Sequence, residues 1–206
     1  IPAGVYAALH RGSIADRGVI MMSIFGFTIP SFVLALVLVL VFAVTLDWLP
    51  FVYTSVPGSG IKWALEMIRQ AIMPVMVLGL FQAASMTRFV RSAMLDVIRL
   101  DYVTTARAKG LSGTRIVVGH MLRNALVPVV TVAGMQAGAL VGGAVVIETV
   151  FAWPGLGRLT FEALLQRDYP VLLGIFLILS IVVIALNLLT DLVYQLIDPR
   201  MTTGAA

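Results

Sequence analysis

The sequence predicts an all-α integral membrane protein with four transmembrane helices, and three observations carry that prediction. Of its 206 residues 60% are hydrophobic and only 12% are charged, with a mean hydropathy of +1.04. A soluble domain of this length would have too few charges to cover so much apolar surface. Four uncharged runs stand in the chain, each measured against the ~20 residues that cross a hydrocarbon core of ~30 Å. The Lys and Arg residues lie between those runs, the distribution that the positive-inside bias produces. Lipid offers no partner for backbone N–H and C=O groups, so each run is expected to be a helix rather than a strand. The net charge of +4 and the pI near 9.9 therefore reflect membrane topology, and nucleic-acid binding is set aside. There is no Cys, hence no disulfide framework and no thiolate metal site. His10 and His120 have no ligand-spaced neighbours, so neither a metal nor a cofactor is expected.

The opening, Ile1 to Arg17, has no signal peptide and reads as a loop that follows an earlier span. We expect the chain to be N-terminally truncated. The first uncharged run, Gly18 to Leu46, places a span at about 24–46. Pro30 interrupts it near its start, as a tolerated kink or as a hinge. Gln70 to Thr87 is short alone, and a span of about 70–90 follows if Arg69 and Arg88 snorkel, with Pro74 opening the helix. Asn124 to Ile147 gives the third span. Gly134, Gly138 and Gly142 recur in it every four residues, followed by Gly143. That small-residue stripe lets another helix approach closely, either for static packing or along a pathway. Tyr169 to Thr190 gives the fourth span, with Asp191 at its inner end. Gln136 and Asn187 are polar at membrane depth and are expected to face the bundle interior or a cavity.

Orientation follows from the cations. Arg11, Arg17, Arg88, Arg91, Arg99, Arg107, Lys109, Arg115, Arg123 and Arg200 would share one side, against Lys62, Arg69, Arg158 and Arg167 on the other. Ten against four puts the central loop and both ends in the cytoplasm. Asp47–Met73 and Glu148–Pro170 then face outward.

The central loop, 94–123, is longer than a crossing back over the membrane requires. Met94 to Lys109 reads as one helix, with Leu95, Ile98, Tyr102 and Ala106 on one stripe and Arg99, Val103 and Arg107 on a partly basic face. Gly110 stops it as a glycine free to take positive φ. Ser112 then caps a second helix from Gly113 to about Leu122, whose apolar side is Ile116, Val117, Val118 and Met121. Such a pair either rests on anionic lipid or docks on a cytoplasmic protein. In the outward segment, Trp153-Pro154-Gly155 marks a turn, Phe151, Trp153 and Phe161 suit an interface, and Leu159 to Gln166 forms a short helix. The chain has no phosphate-binding GxxxxGK[ST], no HExxH and no Ser/His/Asp set placed for catalysis. It is expected to be non-catalytic.

Ala-Arg-Ala-Lys-Gly-Leu-Ser (106–112) and His-Met-Leu-Arg-Asn-Ala-Leu-Val-Pro (120–128) resemble the cytoplasmic coupling loop of binding-protein-dependent ABC importer permeases, dipeptide/oligopeptide branch. AALHRGSIADR with TIPSF, then ETVFAWPGLGRLTFEALLQRDYP and DLVYQLIDPR, agree in the right order over nearly the whole chain. The resemblance implies a type I permease of six helices, of which 1–206 would be an N-terminally truncated transmembrane domain. It further implies a bacterial or archaeal plasma membrane and two ATPase subunits that carry the hydrolysis. A second permease, identical or not, and an extracytoplasmic binding protein complete the set, with lipid around them.

The family's Glu-Ala-Ala motif falls on Thr104, Thr105 and Ala106, its Glu absent, and its glycine on Gly110. The implied ATPase-docking residues run from Val103 through Ala106, Arg107, Ala108, Lys109 and Gly110 to Leu111, with Arg115. Val103 and Leu111 would enter a groove, and the cations would meet acidic partner residues. Pro30, Gly134, Gln136, Gly138, Gly142 and Asn187 become packing or pathway residues. Trp153, Arg158, Glu162, Arg167 and Asp168 become the rim that receives the binding protein. Dipeptides, oligopeptides, glutathione, nickel and some sugars all belong to this branch, and the sequence does not choose among them. The rival reading is a secondary transporter or channel subunit whose basic loop binds lipid.

Overall fold

The computed structural model describes residues 1–141 and 144–197, the side chains of Phe27 and Ile197 excepted. Gly142, which closes the four-residue glycine spacing, lies outside the described residues, as do Gly143 and Arg200. Helix follows helix, and among the described residues there is no strand. In order these are α1 (Pro2–Leu9), α2 (Ile14–Thr28) and α3 (Ser31–Leu38), the last carried on by a π-helical stretch, Val39–Thr45. Next come α4 (Ile61–Val97), α5 (Asp101–Ala108) and α6 (Gly113–Arg115), with a π-helical stretch Ile116–Leu122 leading into α7 (Arg123–Val141). Last are α8 (Val145–Val150), α9 (Leu156–Gln166) and α10 (Tyr169–Ile197). Ile61–Val97, Gly113–Val141 and Tyr169–Leu196 are each long and apolar enough to cross a membrane. A fourth span is reached when Ile14–Gly26 and Ser31–Thr45 are counted as one broken span.

Pro30 makes that break. It has no N–H with which to continue α2, and its backbone is extended (φ −57°, ψ 138°). Its carbonyl then opens α3 by accepting the Val33 and Leu34 N–H groups at 3.0 and 3.2 Å. Elsewhere the chain departs from the expected elements. Pro74 lies inside α4 instead of opening a helix, a placement that membrane helices tolerate. The single helix expected over Met94–Lys109 is two, because α4 ends at Val97 and extended Leu100 (ψ 145°) separates it from α5. The second loop helix does not stand alone but runs on into α7. In its π-helical stretch the i→i+5 bonding widens the turn. Its two buried residues, Ile116 and Met121, are spaced to match that wider turn. Likewise the third apolar run divides, with α7 ending at Val141 and α8 starting at Val145.

The chain forms two compact units. The first takes Ile1–Phe27, Ala83–Gly138 and the chain from Ile184; the second takes Thr28–Gln82 and Ala139–Val183. In the first, the core joins Ala8 to Val90, Ala93, Met94 and Val97 of α4, Val103 and Ala106 of α5, and Ile116, Met121, Ala125 and Val129 beyond. Helices here meet at small residues. A Cβ added to Gly4 would sit 2.6 Å from the Thr87 carbonyl oxygen, and one on Gly26 would sit 2.7 Å from Ala84 Cβ. Ser23 is buried and donates its hydroxyl to the carbonyls of Val19 (2.8 Å) and Ala84 (3.2 Å). Gly134 of α7 lies against the Thr190 side chain of α10, leaving no room for a Cβ.

The second unit is centred on Ala35, Leu38, Met73, Val77, Ile147 and Phe151. The connection from α3 to α4 is tied to it by polar contacts. Tyr53 N–H donates to the Phe151 carbonyl at 2.8 Å, Thr54 N–H to Gln70 Oε1 at 2.9 Å, and Arg69 to the Trp48 carbonyl at 2.9 Å.

Gly134→Leu is expected to lower the thermal unfolding midpoint in detergent by several degrees, an overpacking cost of about 1–3 kcal/mol. Gly174→Ala, at a glycine with open space around it, should leave the midpoint unchanged or raise it. An unchanged midpoint for Gly134→Leu would mean that α7 and α10 are not closely packed at this level.

Candidate functional site

The basic loop is built on α5. Extended Leu100 starts it, Asp101 stands in its first turn and Arg107 in its last, each of the sign that the helix dipole favours. Two of its side chains, Val103 (0% exposed) and Ala106, turn into the first unit's core. Thr104, Thr105, Arg107, Ala108 and Lys109 turn to solvent. The helix then ends in a Schellman motif. Gly110 takes φ +74°, its N–H donates to the Arg107 carbonyl (3.0 Å), and Leu111 N–H donates to the Ala106 carbonyl (3.3 Å). No atom lies within 4 Å of a Cβ added at Gly110. Backbone conformation therefore demands glycine there, not space. Leu111 folds back, half-buried, against the same core as Val103. Behind α5, Tyr102 accepts a hydrogen bond on its hydroxyl from Asn124 Nδ2 at 2.8 Å.

Val103 needs a correction. Packed inside its own unit, it holds α5 in place and is not available to enter a partner's groove. The exposed surface consists of Thr104, Thr105, Arg107, Ala108, Lys109 and Gly110, with Arg115 exposed just beyond. Arg91, counted among the loop cations, is instead inside α4 and paired with Asp16 at 2.5 Å. Sequence reading gave Asp16 no role. Its signal was an acidic residue at the start of an apolar run.

Glu148–Pro170 forms a second constellation, within the second unit. Glu148 Oε1 accepts the Ala144 N–H at 3.1 Å and Oε2 the Arg158 N–H at 2.7 Å. One carboxylate thereby serves the N-termini of both α8 and α9, where unsatisfied N–H groups and the helix dipole favour an anion. Gly155 leaves the room that this carboxylate occupies, and a Cβ on Gly157 would reach 2.9 Å from Val145 N. The Trp-Pro-Gly-Leu-Gly-Arg run is thus shaped around Glu148, a residue that sequence reading used only as a loop boundary.

The rim candidates are mostly engaged here. Arg158 Nε bonds Glu162 at 2.7 Å and its Nη1 bonds the Ala152 carbonyl at 2.8 Å. Asp168 Oδ1 accepts the Val171 N–H at 3.2 Å at the start of α10. Arg167 ends α9 in the left-handed conformation, φ 56°. Trp153 packs edge-on to Tyr53 with ring centroids 5.2 Å apart. Tyr53, Pro154, Leu156, Arg158, Leu159 and Glu162 line an open pocket of about 800 Å³.

Of the packing and pathway candidates, Gln136 donates from Nε2 to Ser85 Oγ at 3.1 Å, so it faces another helix of its unit. Gly138 is half-buried. Asn187, expected to face the bundle interior or a cavity, is exposed on α10.

Over residues 1–203 the sequence matches the family described as binding-protein-dependent transport system inner membrane component. The chain belongs to this family. It is an integral protein of the inner membrane. Similar relatives include a di/tripeptide transport system permease of Pseudomonas aeruginosa, 44% identical over 97% of this chain and 64% of the relative. An oligopeptide permease of Bacillus subtilis is 40% identical over 98% and 63%, and a dipeptide permease of Escherichia coli K12 is 39% identical over 98% and 65%. The chain thus spans a little under two thirds of the length of these relatives.

Glu148→Ala is expected to destabilise the second unit by about 1–3 kcal/mol, the cost of leaving buried N–H donors unpaired. Glu148→Gln, which keeps an acceptor, should cost less. Thermal unfolding in detergent reads both. Identical midpoints for Glu148→Ala and the parent would remove the carboxylate from this role.

Proposed function

We propose that the chain is a permease subunit of an ABC importer for peptides or similar small solutes, with its basic loop as the dock for an ATPase. The observation that carries this reading is the form of α5. Its underside is locked into the core by Val103 and Ala106, while Arg107, Lys109 and Arg115 are presented outward around a glycine-terminated end. Peripheral cations on a rigid mount suit an acidic groove on a soluble protein, where charge complementarity sets register and encounter rate. A push on such a mount reaches α4 and α7 directly, because α5 shares their core.

The solute class is supported by the three relatives, each named a peptide permease. On this reading ATP hydrolysis belongs to two partner subunits, and a second permease, identical or different, completes the pathway. The ten-against-four cation count supports a cytoplasmic loop and C-terminus. Glu148–Pro170 then lies outside the membrane. Its pocket beside Trp153, Arg158 and Glu162, stiffened by Glu148, is the surface offered to an extracytoplasmic binding protein. The membrane helices would rock between inward- and outward-open states, biased by loop docking.

Gly110→Val decides the coupling role. A β-branched residue at φ +74° costs about 1–2 kcal/mol, a factor of roughly 5–30 in the population of the native loop end. Uptake by the reconstituted full-length complex should fall by that order, with the chain still inserted in the membrane. Gly110→Asn, which tolerates left-handed backbone, should retain most uptake. Co-purification in mild detergent reads the dock itself, and Gly110→Val should lose ATPase from the complex. Undiminished uptake and full ATPase recovery with Gly110→Val would sink the proposal and turn the loop into a lipid-binding element.

A further inference from the structure

We propose that the ion pair between Asp16 and Arg91 is a positioning key that makes the N-terminal helix pair α1–α2 move as one body with the seat of the basic loop. The inference rests on the coupling role proposed above. Arg91 donates from Nε to Asp16 Oδ1 at 2.5 Å and from Nη2 to Oδ2 at 2.9 Å, a bidentate fork joining residues far apart in sequence. The Asp16 side chain is 3% exposed and that of Arg91 is 19% exposed. Gly12, which turns the chain between α1 and α2 at φ +81°, donates its N–H to the same Oδ2 at 2.9 Å. The carboxylate therefore fixes the turn and the fork together.

The position of Arg91 gives the pair its consequence. Its neighbours Val90, Ala93 and Met94 share one buried core with Val103 and Ala106 of α5. Three further contacts hold α1 and α2 to α4 around it: Gly4 over Thr87 and Val90, Ser23 to the Ala84 carbonyl, and Gly26 over Ala84. One length of α4 thus borders both the core that holds the loop helix and the N-terminal helix pair. A buried ion pair is a weak device for stability, since apolar residues of similar volume serve as well or better. What a bidentate fork adds is direction, because two parallel bonds do not allow the helices to slide or turn past each other. Displacement of α5 is then passed to α2 without slip.

The test uses the full complex in proteoliposomes and reads solute imported per ATP hydrolysed. Amount assembled and thermal midpoint are recorded in parallel. Arg91→Lys keeps the charge but loses the planar fork; Asp16→Leu combined with Arg91→Met replaces the pair by apolar volume. Both are expected to assemble, and both should import several-fold fewer solutes per ATP than the parent, the double variant least. If the double variant does not assemble, Arg91→Lys decides alone. A parental import-to-ATP ratio in either assembled variant overturns the proposal and leaves the pair a structural contact. A parent complex that recruits no ATPase overturns the coupling reading itself, and that outcome is visible before any variant is compared.

Discussion

In lipid, hydrophobic burial no longer draws helices together, because a hydrocarbon tail is as apolar as a leucine. What remains is contact at close range, through dispersion and hydrogen bonds between backbones that small residues allow to approach. Several helix meetings within the two units follow this rule. Gly4 lets α1 onto the Thr87 carbonyl, Gly26 lets α2 onto Ala84, Gly134 lets α7 onto Thr190, and Gly157 brings α9 onto the start of α8. Hydroxyls and amides add their bonds at the same depth, Ser23 to Ala84 and Gln136 to Ser85. Large apolar side chains, by contrast, largely face outward, as Phe176, Leu177, Ile181 and Leu188 do on α10.

The basic loop depends on that close packing and reverses its economy. On α5, the buried residues, Val103 and Ala106, are small or medium-sized, and every charge is turned away. Gly110 then cuts the helix short, so that Leu111 can fold back on the core while Arg107 and Lys109 stay on the rim. A longer helix would carry its cations round to the α4 face. Termination by left-handed backbone is what separates the anchoring face from the presented one. Within the second unit Glu148 plays a corresponding part, since its carboxylate organises the turn that presents Arg158 and Glu162.

Local features were legible in the sequence. Gly110 was read correctly as a positive-φ stop because a helix end is decided by a few neighbouring residues, and the Gly134 contact because a four-residue period survives in any helix. Val103 was misplaced for a specific reason. Reading Met94–Lys109 as one helix set a single phase through Leu95, Ile98, Tyr102 and Ala106. The break at Ile98–Leu100 resets that phase and brings Val103 inward beside Ala106. Nothing in the local composition marks the break, because Ile98 and Leu100 are good helix residues; what ends α4 is the tertiary seat. Asp16 with the Arg91 side chain, and Glu148 with the Arg158 backbone N–H, were illegible for a different reason. Their pairing spans helices, and a charge count by loop treats each as solvent-facing.

The charges thus sort by function in a way that net charge conceals. Asp16, Arg91 and Glu148 are spent inside the protein, where each is matched by donors or acceptors in fixed directions. Within the low-dielectric interior such matched groups are little screened by salt, whereas exposed charges more than a Debye length of ~10 Å apart hardly interact at 0.1 M. Arg107, Lys109 and Arg115 remain exposed, on a helix that Val103 and Ala106 hold to the first unit's core. Attraction at this surface is adjustable by ionic strength, while the geometry on which it acts is not. On the coupling role proposed above, that division supplies what an ATPase dock needs: a contact loose enough to form and part in each cycle, on a frame stiff enough to pass displacement onward.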